Sequence, residues 1–120
     1  MTQKGDRSSQ GVVNLDELLT RVENDYDLLV ELIGIFKQDF PRLLQSLQRG
    51  DMKNVQATSH ALKGMLSGLS VTQAAASASR LEQMGREGRT SGLTDALVIL
   101  ESEVAKLWQE LDAYVEEAKP

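Results

Sequence analysis

The sequence predicts an all-α protein: an antiparallel up-down-up-down four-helix bundle with a short N-terminal capping helix. Apolar residues recur at steps of three and four along four long segments, strand-like alternation is nearly absent, and the connecting segments are short. With 120 residues, 41% of them hydrophobic and 26% charged, the chain suits one packed domain. We expect the bundle over residues 12–118, after a polar, aperiodic flexible lead or linker over residues 1–11.

The first two helices begin at residues that commonly cap helices. Asn14, with Glu17 three residues later, resembles a capping box and predicts a short first helix. Asn24 or Asp25 opens a longer apolar pattern that continues to Leu47. The predicted bundle therefore starts with a short helix followed by a long one.

Two sequence features predict where this long helix bends or splits and where it ends. Pro41 interrupts its pattern, and because proline removes a backbone hydrogen bond, we expect a bend there or a split at Asp39. The tripeptide from Arg49 to Asp51 supplies a glycine stop and an aspartate N-cap for the next helix.

Three further helices complete the pattern. The first runs from about Met52 to Leu69, and an alanine-rich helix follows it and ends at Gly88. The small side chains of this alanine-rich helix favour close packing against a neighbouring helix. After a short loop, the last helix spans about Leu93 to Glu117 and carries a continuous apolar stripe.

The composition excludes several classes of function. A net charge of −5 argues against nucleic acid or an anionic membrane surface as a partner. There are no cysteines and one histidine, so we expect no disulfide and no metal site. No apolar run reaches membrane-spanning length. We expect a cytoplasmic protein without direct membrane contact and without a cofactor of its own.

The single histidine, His60, lies on the polar side of the third predicted helix, from about Met52 to Leu69. At about 100° per residue, His60 points almost opposite the apolar stripe of its helix, beside Lys63 and Gly64. The stripe consists of Val55, Thr58, Leu62, Leu66 and Leu69. The spacing therefore predicts an imidazole that stands in solvent or at the rim of the bundle.

The neighbours of His60 favour phosphoryl chemistry. Lys63 lies one turn later, where its ammonium can neutralise an anion carried by the ring. Gly64 leaves open space above the imidazole and faces away from the leucine stripe. A neutral imidazole is a competent nucleophile, and phosphoryl transfer depends mainly on positioning and charge stabilisation. No glycine-rich phosphate loop is present, so the phosphoryl donor must come from elsewhere.

The segment ATSHALKGMLSGL, from Ala57 to Leu69, resembles the signature of histidine-containing phosphotransfer (HPt) domains. This signature consists of a histidine, a leucine two residues after it, a lysine three residues after it and a glycine four residues after it. The long stretch before the histidine and the segment ASRLEQMGREG after it are also similar to this family. The resemblance covers roughly Leu15 to Tyr114.

The resemblance implies that His60 accepts a phosphoryl group on Nε2 from a receiver-domain aspartate and passes it to another. Lys63 would steady the phosphoryl group, and Gly64 would admit the active-site loops of the receiver. Glu82, twenty-two residues after the histidine, occupies the position that holds the other ring nitrogen in this family. Arg86, one turn past Glu82, would add positive potential. The partners implied are response-regulator receiver domains, which bring their own Mg²⁺.

One part of the sequence departs from the family pattern. Many members carry asparagine, any residue and glycine eight to ten residues after the histidine, where this chain has Gly68, Leu69 and Ser70. We therefore expect a different turn between the third and fourth predicted helices.

Alternative functions stay open at this point. A dimerisation helix of a sensor histidine kinase also exposes a histidine, but an acidic residue typically follows it, and here Ala61 follows. A helical adaptor with an incidental histidine would bind a partner without carrying phosphate. A hydrolase is disfavoured because no second catalytic group converges on His60. The resemblance implies no ATP-dependent kinase activity, and either a free-standing protein or the cytosolic end of a hybrid sensor kinase.

Overall fold

The computed structural model describes residues 12–49 and 51–118, so the predicted lead over residues 1–11 lies outside the described part. The helices are α1 (Leu15–Arg21), α2 (Tyr26–Leu47), α3 (Met52–Gly68), α4 (Thr72–Glu87) and α5 (Leu93–Ala118). No strand occurs in these two ranges. The all-α prediction is confirmed. Four long helices form the bundle, and the short α1 precedes them.

The helix starts follow the capping signals. Asn14 Oδ1 accepts a hydrogen bond from the Glu17 amide at 3.1 Å and caps α1. Asp25, rather than Asn24, caps α2. Asp51 caps α3 by accepting from the amide of residue 53 at 3.0 Å. Each carboxylate or amide oxygen satisfies an N–H that has no partner inside its helix, so these starts are determined locally.

Pro41 does not split α2 at Asp39, so that part of the expectation is wrong, whereas the expected bend stays a prediction. The helix is continuous across the proline, which lies on its exposed side. A proline in a helix interior costs about 3 kcal/mol. Phe36 and Phe40 before it, and Leu47 after it, are all buried, and each contributes about 1.5–3 kcal/mol on burial. Because these anchors lie on both sides of Pro41, their burial outweighs the lost hydrogen bond.

Aromatic packing reinforces the same region of α2. The Phe36 ring lies 5.6 Å from that of Phe40 and 5.1 Å from that of Trp108 on α5. Phe40 and Trp108 meet nearly edge-on at 6.4 Å. On the solvent side, Lys37 covers the Trp108 ring and pairs with Asp112 at 2.6 Å. The α2–α5 pair is therefore joined by an aromatic cluster.

The alanine-rich α4 packs closely against α3, as its small side chains predict. Ala74 and Ala78 are buried, but the tightest approach is at Gly85. A Cβ built on Gly85 would lie 2.5 Å from the Gln56 amide nitrogen and 2.8 Å from the Met52 carbonyl oxygen. The glycine therefore lets the two helix backbones approach.

The turn between α3 and α4 contains a residue in the left-handed region. Ser70 has φ +63° and is buried. The Val71 amide bonds to the Leu66 carbonyl at 2.9 Å, and the Ser70 amide bonds to that of Ser67 at 3.0 Å. This pair of bonds is the Schellman arrangement, in which glycine usually holds the left-handed position. In this chain, Ser70 occupies that left-handed position, where many members of the family that the sequence resembles have glycine.

The segment around α1 closes the end of the bundle that contains this turn. The amide of Asn14 donates to the Ser70 carbonyl at 2.9 Å. The Glu110 carboxylate on α5 accepts from the amides of Val12 at 2.6 Å and Val13 at 3.1 Å. Leu18 of α1 is fully buried beneath this cap. The capping role predicted for the short helix is thus confirmed.

The bundle core consists of large side chains from all five helices. Among those that are fully buried are Leu18, Leu29, Phe36, Leu62, Leu66, Leu81, Leu100, Leu107 and Leu111. Within the ranges that the structure describes, no helix has both the length and the apolar character needed to cross a membrane.

We expect Gly85→Ala to destabilise the protein by about 1–3 kcal/mol, because the added methyl meets backbone atoms that cannot move aside. This cost exceeds the gain of about 1 kcal/mol in helix propensity. The matched control is Gly34→Ala, where a Cβ meets nothing within 4 Å and stability should rise. Urea unfolding of both variants measures the difference. Equal stability changes at the two glycines would contradict the close-approach role of Gly85.

Candidate functional site

His60 projects from the middle of α3 on the side away from the core. Its side chain is 69% exposed, while Leu62 and Leu66 on the same helix are fully buried. The exposure predicted from helical spacing is confirmed. The imidazole is therefore accessible to another molecule without any opening of the bundle.

Glu82 on α4 holds the inner nitrogen of this ring. Its Oε2 lies 2.9 Å from His60 Nδ1, and its side chain is only 9% exposed. The close approach of α3 and α4 at Gly85, one turn beyond Glu82, brings the carboxylate within reach of the ring. Glu82 thus links the exposed imidazole to the packed interface between two helices.

The hydrogen bond determines which ring nitrogen is free. A carboxylate only accepts hydrogen bonds, so Nδ1 carries the proton in this contact. In the neutral ring, Nε2 then holds the lone pair and is directed away from Glu82. The site therefore presents Nε2 of His60 as a nucleophile or a base.

Two cationic side chains, those of Lys63 and Arg86, also contact Glu82. Lys63 Nζ lies 2.9 Å from Oε1, and an Arg86 guanidinium nitrogen lies 3.4 Å from Oε2. The structure therefore brings together His60, Lys63, Glu82 and Arg86. Both carboxylate oxygens are occupied, and the Lys63 ammonium is engaged with Glu82 rather than held free beside Nε2.

Lys63 and His60 lower the pKa of Glu82 below its ordinary value of 4.5. The hydrogen bond from Lys63 is the largest cause, and the hydrogen bond from His60 acts in the same direction. Burial opposes them because it disfavours the charged carboxylate. Glu82 is therefore ionised at neutral pH, with Lys63 as its main counter-ion.

Gly64 and Gly68 leave the face beside His60 open. A Cβ on either glycine would meet nothing within 4 Å, so helix packing does not require them. Each glycine nevertheless costs the helix about 1 kcal/mol relative to alanine. Together with the exposed Ala61, they leave a low surface next to the ring on the side that faces α2.

This low surface leads into an apolar groove between α2 and α3. The groove has a volume of about 260 Å³ and is lined by Leu32, Ile35, Phe36, Asp39, Met65, Gly68 and Leu69. The sequence pattern alone did not predict this groove. Its only sequence signal is a second apolar row on α2, at Leu28, Leu32 and Ile35, offset from the row that enters the core.

The short helix α1 does not offer both of its leucines to a partner. From the sequence alone, we expect a docking face around His60 that is apolar and to which this short helix contributes Leu18 or Leu19. In the structure, Leu18 is fully buried and unavailable. Leu19 is half-buried and packs against the core. Leu18 cannot reach a partner because the cap needs its side chain to close the end of the bundle.

Among residues 12–49 and 51–118, no three His, Cys, Asp or Glu side chains cluster in a way that would hold a metal ion. The cluster at His60 contains one carboxylate, and three nitrogen groups surround it.

The family model of the Hpt domain matches residues 31–118, which is most of the chain and includes α3, α4 and the whole His60 cluster. The protein belongs to the Hpt domain family, whose members carry phosphoryl groups in two-component phosphorelays and interact with response-regulator receiver domains. No curated protein and no solved structure matches the chain.

The lowered pKa of Glu82 predicts a pH-dependent contribution to stability. The ionised carboxylate stabilises the fold above pH 4.5, and this contribution is lost as the pH falls through the lowered folded-state pKa. We expect the gap in unfolding free energy between wild type and Glu82→Gln to be constant near neutrality and to shrink below pH 4.5. Thermal unfolding across pH 3–7 measures it, with Glu87→Gln as a control on the exposed face of α4. A gap that is independent of pH would contradict this account of Glu82.

Proposed function

We propose that His60 is the phosphoryl acceptor and donor of this Hpt domain. The observation that supports the proposal best is the orientation of an exposed ring by a buried carboxylate. Glu82 holds Nδ1 at 2.9 Å, so the lone pair of Nε2 points to solvent without any rearrangement. This arrangement suits repeated in-line transfer at a single nitrogen.

The proposed transfer is a nucleophilic displacement at phosphorus. The Nε2 lone pair of His60 forms a bond to the phosphorus of a receiver's aspartyl phosphate. The P–O bond to the aspartate breaks, and its electron pair returns to that carboxylate. The ring then carries a positive charge and keeps its Nδ1 proton, and Nδ1–H donates a hydrogen bond to the Glu82 carboxylate. Delivery to a second receiver runs through the same bonds in reverse.

The receiver would supply the components that this chain lacks. We propose that the receiver brings its own Mg²⁺ and the aspartate, since Mg²⁺ neutralises the charge that develops on a transferring phosphoryl group. This domain supplies the nucleophile, its orientation and a surface for docking. A helical adaptor that carries no phosphate is the alternative, and the first experiment below distinguishes it.

We propose that the receiver docks over the low surface at Gly64 and into the groove at Ile35 and Met65. Gly68 borders this groove and lies eight residues from His60, about 12 Å along the helix. An interface of about 800 Å² per partner is roughly 30 Å across, so one receiver centred on His60 covers the groove as well. Apolar side chains there would contribute affinity at little cost, because they are already exposed.

The identity of the donor follows from the same chemistry. The donor is a phosphorylated receiver, either a separate protein or the receiver of a hybrid sensor kinase. The acceptor is a second receiver. Both would use the same face, because His60 is the only histidine of the chain.

We expect His60→Gln to abolish phosphoryl transfer and to leave the fold intact, because the side chain is exposed and glutamine can still contact Glu82. The measurement is incubation with ³²P-labelled receivers, phosphorylated by acetyl phosphate, followed by tests for acid-labile label on the Hpt domain. Ser67→Ala on the same face of α3 is the matched control. Acid-labile label that persists on His60→Gln would overturn the proposal, and no label on wild type from any receiver would favour the adaptor.

We expect Ile35→Glu to weaken transfer from receivers at least tenfold in kcat/KM, because it places a charge in the proposed docking groove. Val98→Glu is the matched control: Val98 is 57% exposed and Ile35 50%, but Val98 lies on α5, which is not a main neighbour of α3. Both variants should unfold like wild type. Equal effects of the two substitutions on transfer would remove the groove from the docking surface.

A further inference from the structure

Lys63 occupies a position that its expected role does not explain. The resemblance assigns Lys63 to the phosphoryl group, yet its ammonium is bonded to Glu82 Oε1 at 2.9 Å. A lysine in that contact has one donor group committed to the buried carboxylate. A salt bridge from the Lys63 ammonium to a phosphoryl group on Nε2 would compete with this contact.

The geometry permits such a move. Lys63 and His60 contact opposite oxygens of the same carboxylate, so the ammonium lies next to the ring. The Lys63 side chain is 37% exposed and its four-carbon stem is flexible. A change of partner therefore needs only side-chain rotation, with no movement of α3 or α4.

The charges around Glu82 change when the ring is phosphorylated. Before transfer, the ring is neutral, and Lys63 and Arg86 are the cations that face the carboxylate. After transfer, the ring is an imidazolium whose Nδ1–H already points at Oε2. A phosphoryl group with up to two negative charges then stands on Nε2, where it attracts the nearest mobile cation.

We propose that phosphorylation exchanges the main counter-ion of Glu82: the phosphorylated imidazolium of His60 takes the place of Lys63, and Lys63 moves to the phosphoryl group. This inference rests on the proposed function of His60. In the free protein, the Lys63 contact keeps the buried carboxylate neutralised. In the phosphorylated protein, the ring itself provides that charge, so releasing Lys63 leaves no unpaired carboxylate.

Arg86 acts in this exchange as a positioning residue. Its guanidinium lies 3.4 Å from Oε2 and belongs to the same helix as Glu82, one turn later. It remains beside the carboxylate while Lys63 moves away and the ring becomes the main counter-ion. The charged or titratable groups that pair with Glu82 in the described chain are His60 and Lys63 from α3 and Arg86 from α4.

The exchange has a consequence for the bond to phosphorus. When the Nε2–P bond breaks, its electron pair returns to Nε2, and a ring that keeps its Nδ1 proton leaves as a neutral imidazole. A ring without that proton would have to leave as an anion. Because Glu82 is a carboxylate, it favours the protonated ring and keeps the phosphoryl group transferable. The site is built for rapid donation rather than for storage.

The test uses the whole protein phosphorylated on His60 with phosphoramidate, and ³¹P NMR follows hydrolysis of the phosphohistidine from pH 5 to 9. Hydrolysis slows as the pH rises, because the ring loses the Nδ1 proton that makes it a good leaving group. We expect this fall in rate to occur about one pH unit lower in Glu82→Gln than in wild type. The half-life at pH 8 then lengthens by up to about tenfold. Glu87→Gln on α4 is the matched control and should behave like wild type. A profile unchanged in Glu82→Gln would overturn the proposal.

A double-mutant cycle tests the move of Lys63. If Lys63 contacts the phosphoryl group, Lys63→Met shortens the phosphohistidine half-life about fivefold, both in wild type and in Glu82→Gln. If Lys63 stays on Glu82, its substitution has no effect once Glu82 is glutamine, and the exchange is wrong. Lys106→Met on α5 is the control. Failure to observe any phosphohistidine on His60, from phosphoramidate or from receivers, would instead overturn the proposed function itself.

Discussion

The carboxylate of Glu82 is the group on which the rest of the site depends. It lies in the packed interface between α3 and α4, where an ionised group is costly unless it is paired and hydrogen-bonded. Lys63 and His60 each contact one of its oxygens. The pairing that makes burial tolerable also orients the imidazole, so the stability of this interface and the direction of Nε2 have the same cause.

The helices around this carboxylate explain how the site combines rigidity with access. The backbones of α3 and α4 approach closely at Gly85, and the core side of α3 is closed by leucines. His60 projects from the opposite side of the same helix. The main chain that carries it is held by buried packing, and its ring needs no pocket. Such a site suits chemistry that depends on the positioning of an exposed ring which a partner can approach.

The surface next to His60 differs from the rest of the bundle in having little side-chain bulk. Gly64 and Gly68 lie there without any packing reason, and each reduces the stability of α3. A bundle selected only for stability would carry alanine at both positions. The loss is consistent with a face that another protein must approach closely, and the groove beside Met65 extends that face toward α2.

Local patterns in the sequence determined the helices, their caps at Asn14 and Asp25, and the exposure of His60, because periodicity and capping depend on residues within one or two turns. The tertiary structure alone decided the continuity of α2 at Pro41, the groove between α2 and α3, and the engagement of Lys63 with Glu82. Each of these depends on how far one helix lies from its neighbour and on which side chains meet across that distance. Spacing along a single helix carries no information on that distance. The sequence therefore located the exposed histidine, and the family resemblance pointed to Glu82, whereas the pairing of Lys63 with Glu82 could be found only in the folded bundle.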